Sequence, residues 1–194
     1  MKKYLSCAET AKLVRAALKE SFPGVKFKVK SSVYAGGASI TVSYFNGPTD
    51  DQVKGIVDTF TGAYFCGMTD YKGTLYNTLD GVPVSFGADY IFVSRYFTKP
   101  ILTLIACNVL TKFGLDNAVT INEYSNGGAY VDTVGPNQDS ADRGFTYYQI
   151  EALINDAANK YSAYDAAESA TVKRVKFLGD DGYGYGTVGK LEVA

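Results

Sequence analysis

No histidine and no tryptophan occur among the 194 residues. Without imidazole the chain lacks the commonest general base near neutral pH, every Ser-His-Asp or Cys-His arrangement, and the usual ligand of zinc and iron sites. Cysteine is scarce too. Cys7, Cys66 and Cys107 lie far apart with no CxxC pair, and are expected to be buried thiols in a reducing compartment. A nucleophilic cysteine would need a base that the chain hardly supplies. Long apolar runs are also missing. The longest, Pro100 to Leu110, is interrupted by Thr103 and Asn108 and is too short to span a bilayer. No apolar h-region follows Lys2 and Lys3, so a secretory signal is not expected. These absences lead to the expectation of a cytoplasmic protein that is not an enzyme and uses no cofactor and no metal.

Tyrosine and phenylalanine are abundant, at 16 and 11 residues. A tyrosine buries a large ring while its hydroxyl stays wet, so it can cover a core or furnish a contact surface. The net charge of −1 is unevenly spread: residues 1–30 hold eight basic and two acidic side chains, residues 115–170 two basic and nine acidic. Either one face suits a polyanion and another a basic partner, or the two regions face each other within the fold.

Ser6 is a good N-cap, and Glu9 three residues on completes a capping box for a first helix that Phe22-Pro23-Gly24 ends. Val25 to Lys30 alternates strictly, and Ile40 to Phe45 reads as the return strand of a hairpin whose connection is the Gly-containing stretch Ser31 to Ser39. Thr49, with Asp50 and Asp51 behind it, opens a second helix. Residues 61–81 read as irregular or a weak hairpin, and 82–98 as a strand kinked at Gly87. A helix is expected over 99–113 between Pro100 and Gly114. A hairpin over 119–124 and 129–134, a helix over 145–168 and a strand over 172–177 complete the pattern.

Helix, strand, Gly-Gly-Ala loop, strand and helix thus occur twice, with Tyr34 to Ala38 echoed by Tyr124 to Ala129. The expected fold class is α+β: two tandem ferredoxin-like (split βαβ) units, with antiparallel sheets and helices packed on one face. The expected division is an N-terminal unit at 1–81, a second ferredoxin-like unit at 82–178 and a Gly-rich tail at 179–194. Chance similarity of two hairpin loops is the alternative.

Few constellations carry chemistry. Gly184 to Gly189 matches GxGxxG in letters, but no helix with its phosphate-holding amides is expected after it. Asp50-Asp51 and Asp180-Asp181 are sequence neighbours, which does not place carboxyls across a substrate. Lys26, Lys28 and Lys30 recur with period two, placing them on one strand face roughly 6–7 Å apart, near the phosphate spacing of a nucleic-acid strand. Lys173, Arg174 and Lys176 form a second basic segment, and Tyr34 and Tyr44 offer stacking surfaces. The same lysines also suit a solvated face that resists edge-to-edge aggregation.

Cys7 to Arg15, Phe22-Pro23-Gly24-Val25-Lys26-Phe27, Ser31 to Ile40 with its Tyr-x-Gly-Gly-Ala loop, and Val84 to Ile91 together resemble a large polyvalent protein-associated domain over residues 7–98. The resemblance implies a gene of a phage, prophage or plasmid, and brings no catalytic residues. Small proteins of such elements often disarm host defence, as anti-CRISPR proteins do. The leading expectation is therefore an anti-defence protein that occupies or displaces part of a host defence protein or ribonucleoprotein such as a CRISPR effector. One contact patch would be Lys26, Lys28, Lys30, Tyr34 and Tyr44, and a second, acidic one Asp132, Asp139 and Asp142, imitating phosphates. The rival expectation is direct nucleic-acid binding during replication or transfer of the element.

Overall fold

The computed structural model describes residues 2–115, 119–132, 144 and 146–184. The chain forms two compact units. The larger draws on Met1–Tyr44, Asp50–Ser94 and Tyr164–Ala194, and the smaller on Phe45–Thr49 and Arg95–Ala163. The larger unit is thus interrupted in sequence, and the boundaries differ from the expected division at residue 82.

The larger unit begins with β1 (Lys3–Leu5) and α1 (Cys7–Ser21). The capping box forms as the sequence predicts: the Ser6 hydroxyl accepts from the Glu9 amide, and the Glu9 carboxylate accepts from the Ser6 amide at 2.8 Å. Ala11, Val14, Ala17 and Leu18 recur at helical spacing and are fully buried; burying Leu18 alone stabilises the fold by roughly 1.5–3 kcal/mol. Next come β2 (Lys28–Tyr34), β3 (Gly37–Phe45) and α2 (Asp50–Val57), with both aspartates in the helix's first turn. After a 3-10 turn at Asp58–Phe60, β4 (Ala63–Cys66), β5 (Tyr71–Leu79), β6 (Val82–Phe86) and β7 (Tyr90–Tyr96) follow.

Two sheets result. One has the order β2-β3-β7. The other runs β1-β6-β5-β10, with β4 also on β5 and β10 (Val175–Asp180) supplied from the far end of the chain. One apolar core joins the helices to the inner faces of both sheets, through Leu18, Ile40, Val42, Tyr44, Val53, Val84 and Phe86.

The long strand β5 lies where the sequence suggests irregular chain or a weak hairpin, and it does form a hairpin with β4. Its inward positions Gly73, Leu75 and Asn77 are buried, but glycine and asparagine hide the alternation. Asp80 and Gly81, both at positive φ (53° and 76°), make a two-residue turn between Leu79 and its partner Val82, the geometry that Asp-Gly favours.

The smaller unit contains α3 (Lys99–Phe113), the hairpin β8 (Thr120–Glu123) and β9 (Ala129–Asp132), and α4 (Tyr147–Lys160). Pro100 in the first turn and Gly114 in the left-handed region bound α3 as expected. Leu102, Ile105, Leu110, Ile121, Ile150 and Ile154 make its core. Arg95 ties this unit together: its guanidinium donates to the carbonyls of Gly47 (2.6 Å), Tyr161 (2.7 Å) and Ala158 (3.2 Å), the last two at the C-terminus of α4.

The α+β class holds, but the described strands do not pair as two ferredoxin-like units. β8 and β9 form a two-stranded ladder, β7 joins β3, and β10 joins β5. The segment expected as a strand over 172–177 is the short helix α5 (Ala170–Lys173) followed by β10. Alternation marks a strand but does not name its partner; burial against a particular core does. Cys7 and Cys66 are buried as expected, whereas Cys107 is exposed on α3, and all three are free thiols.

Candidate binding surface

The Gly-Gly-Ala loop of the first hairpin shows what its residues are for. Gly36 takes a positive φ of 88° in the turn. A Cβ on Gly37 would lie 2.4 Å from Oδ2 of Asp89, so the missing side chain lets that carboxylate reach the hairpin. Asp89 Oδ2 accepts from the Ala38 amide at 3.0 Å and pairs with Lys72 Nζ at 2.7 Å, while the Asp89 amide donates to the Ala38 carbonyl at 2.8 Å. Hydrogen bonding to Asp89 raises the Lys72 ammonium above its ordinary value. The two segments thereby meet, and the lock joins the three-stranded sheet to β5. Burial pushes the Cys7 thiol up as well, as suits an inert thiol.

On the three-stranded sheet, Lys28 and Lys30 stand exposed on the outward side of β2, with Val29 buried between them. Lys26 is exposed but precedes the strand. Tyr34 shares the outward parity and is 48% exposed. Tyr44 does not belong with them. It is 1% exposed, and its hydroxyl donates to Asp50 at 2.9 Å inside the fold. It shares one strand face with Ile40 and Val42, both fully buried. Of the acidic patch, Asp132 is exposed on β9 and accepts from Asn122 at 2.8 Å; Asp139 and Asp142 lie outside the described residues. In the second basic segment, Lys173 pairs with Glu168, and Arg174 grips Asp80 through two hydrogen bonds of 2.9 and 2.7 Å. Only Lys176 of that group lacks an ion pair with a described residue.

A different surface emerges on the five-stranded sheet. Along β5, Lys72, Thr74, Tyr76 and Thr78 point away from the buried positions. Directly paired residues share a face. Phe65 is paired with Lys72, Pro83 and Lys176 with Thr78, and Tyr4 with Ser85. Three rings consequently stand on one side: Tyr4 at 69% exposure, Phe65 at 55% and Tyr76 at 39%. Lys2 lies over the Tyr76 ring, 5.1 Å from its centroid, a cation–π contact. Lys2, Lys72 and Lys176 are exposed around the rings. At Gly87 a Cβ would fall 2.5 Å from the Leu5 carbonyl oxygen and 2.7 Å from the Tyr4 hydroxyl, so glycine leaves room for the close approach of the β1 backbone.

The sequence reading passes over Tyr4, Phe65 and Tyr76 because no spacing along the chain links them. The topology alone gathers them, from three strands. Among the described residues no cluster of histidine, cysteine or carboxylate side chains suits a metal ion, and no helix is long and apolar enough to cross a membrane.

The larger unit is thus an α+β domain with exposed rings and cations on one face of its five-stranded sheet. The family is more particular. Residues 5–98 match the model of Large polyvalent protein associated domain 29, a likeness that suggests a phage or mobile-element protein. Neither a curated protein nor a solved structure matches the chain. Leu5 to Thr98 runs from the end of β1 through β7 and so contains Phe65, Lys72 and Tyr76; Tyr4 and Lys176 stand outside the matched stretch.

Proposed function

We propose that this protein is a non-catalytic binding protein of a mobile element whose partner is single-stranded nucleic acid, held across the open face of the five-stranded sheet. The observation that carries the reading is the grouping of Tyr4, Phe65 and Tyr76 with Lys2 and Lys176 on that face, beside Lys72, which pairs with Asp89. Unpaired bases stack on aromatic rings whatever their sequence, each contact contributing about 1–3 kcal/mol, while lysines follow the phosphates. A duplex hides its base faces and would gain only the electrostatic part. Inhibition of a host defence ribonucleoprotein, such as a CRISPR effector, rests on the family's setting. It fits the same surface if the nucleic acid engaged is the guide or the displaced strand of that complex.

Fluorescence anisotropy with a labelled oligonucleotide in single- and double-stranded form tests the proposal. The single strand is expected to bind at micromolar protein or better, tighter than the duplex. Replacing Tyr4, Phe65 and Tyr76 together by alanine is expected to abolish the preference. Absence of a shift at micromolar protein in low salt, or equal binding by the triple variant, rules it out. A pull-down from the bacterial host with and without nuclease then separates a defence protein reached directly from one bridged by nucleic acid.

A further inference from the structure

The Gly-rich segment after β10 is held by a second feature, independent of the open face. Asp181 follows β10, and its carboxylate is met by donors from the β4–β5 hairpin. Oδ1 accepts from the Tyr64 hydroxyl at 2.7 Å; Oδ2 accepts from the Thr74 amide at 2.7 Å and from the Tyr71 hydroxyl at 3.0 Å. The segment grips back. The Gly184 amide donates to the Tyr64 hydroxyl oxygen at 3.0 Å, and the rings of Tyr71 and Tyr183 meet edge to face at 6.1 Å.

Two glycines make this approach possible. A Cβ on Gly73 would come within 2.1 Å of the Tyr64 ring, and one on Gly184 within 2.6 Å. Tyr64 therefore lies between two bare stretches of backbone, one from the hairpin and one from the segment it holds. Gly182, at a φ of 74°, lets the segment turn between Asp181 and Gly184. The electrostatics agree. Hydrogen bonding to Asp181, followed by burial, pushes the Tyr64 phenol up to about 12, and the same causes raise Tyr71. Desolvation pulls Asp181 upward, but the Thr74 amide and the two phenols outweigh it and hold the carboxyl below its usual range.

No cation joins the carboxylate in this cluster; every described group that meets it is a neutral donor. Such an arrangement recognises a carboxylate by geometry. Because its donors lie at the surface, water can satisfy them when the carboxylate leaves, and the site can stand empty without a buried orphan.

We propose that Tyr64, Tyr71 and the Thr74 amide form a carboxylate-binding cradle, occupied in cis by Asp181, that accepts an Asp-Gly-Tyr-Gly peptide segment in trans when Asp181 is replaced. The ligand class is an aspartate followed by a glycine turn and a ring, which is what Asp181, Gly182, Tyr183 and Gly184 present.

The test uses the full chain with carbon-13-labelled tyrosine. In Asp181→Asn the Tyr64 phenol is expected to titrate lower than in the parent, toward the ordinary tyrosine range, and the Thr74 amide to exchange faster with solvent. Adding the free peptide Gly-Asp-Asp-Gly-Tyr-Gly to that variant is expected to shift the Tyr64 and Tyr71 resonances back. The peptide with asparagine in both acidic positions should bind at least about tenfold more weakly, since hydrogen bonds to a charged group are the stronger kind. If Asp181→Asn leaves both tyrosine resonances and the Thr74 exchange unchanged, the cradle does not hold Asp181. If the peptide produces no shift at millimolar concentration, the contact is internal packing only and the trans site is refuted. Should Asp181→Asn fail to fold, the Tyr64→Phe/Tyr71→Phe pair keeps the rings and decides the matter: faster Thr74 exchange supports the cradle, unchanged exchange overturns it.

Discussion

On the five-stranded sheet, lysines surround Tyr4, Phe65 and Tyr76; on the three-stranded sheet, Lys28 and Lys30 share the outward side of β2 with Tyr34, and Phe92 of β7 is exposed too, while Tyr44 turns inward. Both surfaces are basic and both belong to the larger unit. The difference lies in how cation and ring meet: on the five-stranded sheet Lys2 lies over the Tyr76 ring. Lysine by itself is what a solvated edge strand carries to resist pairing with another chain, and β2 is an edge strand of its sheet. Rings left in water have no such explanation on either sheet, since burying them would have been favourable. Charge pattern along the chain does not reveal where cation and ring come together; the strand pairing that places Tyr76 within reach of Lys2 does.

The largest effect that sharpens the comparison concerns Tyr34 and Tyr44. Tyr44→Ala removes a fully buried ring and its bond to Asp50, and is expected to destabilise the protein by about 3–5 kcal/mol. Tyr34→Ala, at the exposed hairpin end, should change stability by no more than about 0.5 kcal/mol. Urea denaturation of both variants checks this, and similar midpoints would place Tyr44 at the surface.

A smaller effect separates the two sets of lysines. Neutralising Lys2 and Lys176 to glutamine should make log affinity for a single strand fall less steeply with log salt, by about 0.7 for each phosphate no longer neutralised. The same change at Lys28 and Lys30 should leave the slope unaltered. An equal reduction from both sets would erase the distinction between the faces and restore the strand of alternating lysines as a contact site.

The smallest effect is on the support behind β10. Glu20 of α1 accepts from the Ser169 hydroxyl (2.6 Å) and from the amide (2.9 Å) and hydroxyl (2.8 Å) of Thr171, and so caps α5, which leads into β10. These bonds, that from Ser169 foremost, hold the Glu20 carboxyl below its ordinary 4.5. A carboxylate lowered in the folded state adds stability above its unfolded value and loses it as pH falls through the folded one. Glu20→Gln should therefore cost about 1 kcal/mol at neutral pH, and the melting temperatures of variant and parent should converge below pH 4.5. A constant difference down to strongly acidic pH would show that the charge is not what matters.

Much of the local structure is legible in the sequence. Ser6 and Glu9 announce α1, Pro100 and Gly114 bound α3, and the alternation of Lys28 and Lys30 puts them on an outward face. Tyr44 is legible too, since its alternation with Ile40 and Val42 puts it on their side of β3; its hydroxyl suggests a wet position, but Asp50 satisfies it inside. The length of β5 is not legible, beyond a weak hairpin, because Gly73 and Asn77 occupy core-facing positions. Its Asp80-Gly81 turn is the signal available to find it.

What the sequence determined by itself is therefore whatever depends on neighbours within a few residues: caps, turns, strand parity and the inventory of reactive groups. Tertiary structure alone decided which strands pair, that β10 closes a sheet begun by β1, and that Tyr4, Phe65 and Tyr76 share a face. The reason is physical. Periodicity fixes the side on which a residue lies, whereas strand partners are chosen by burial against a common core, over separations that no local pattern spans.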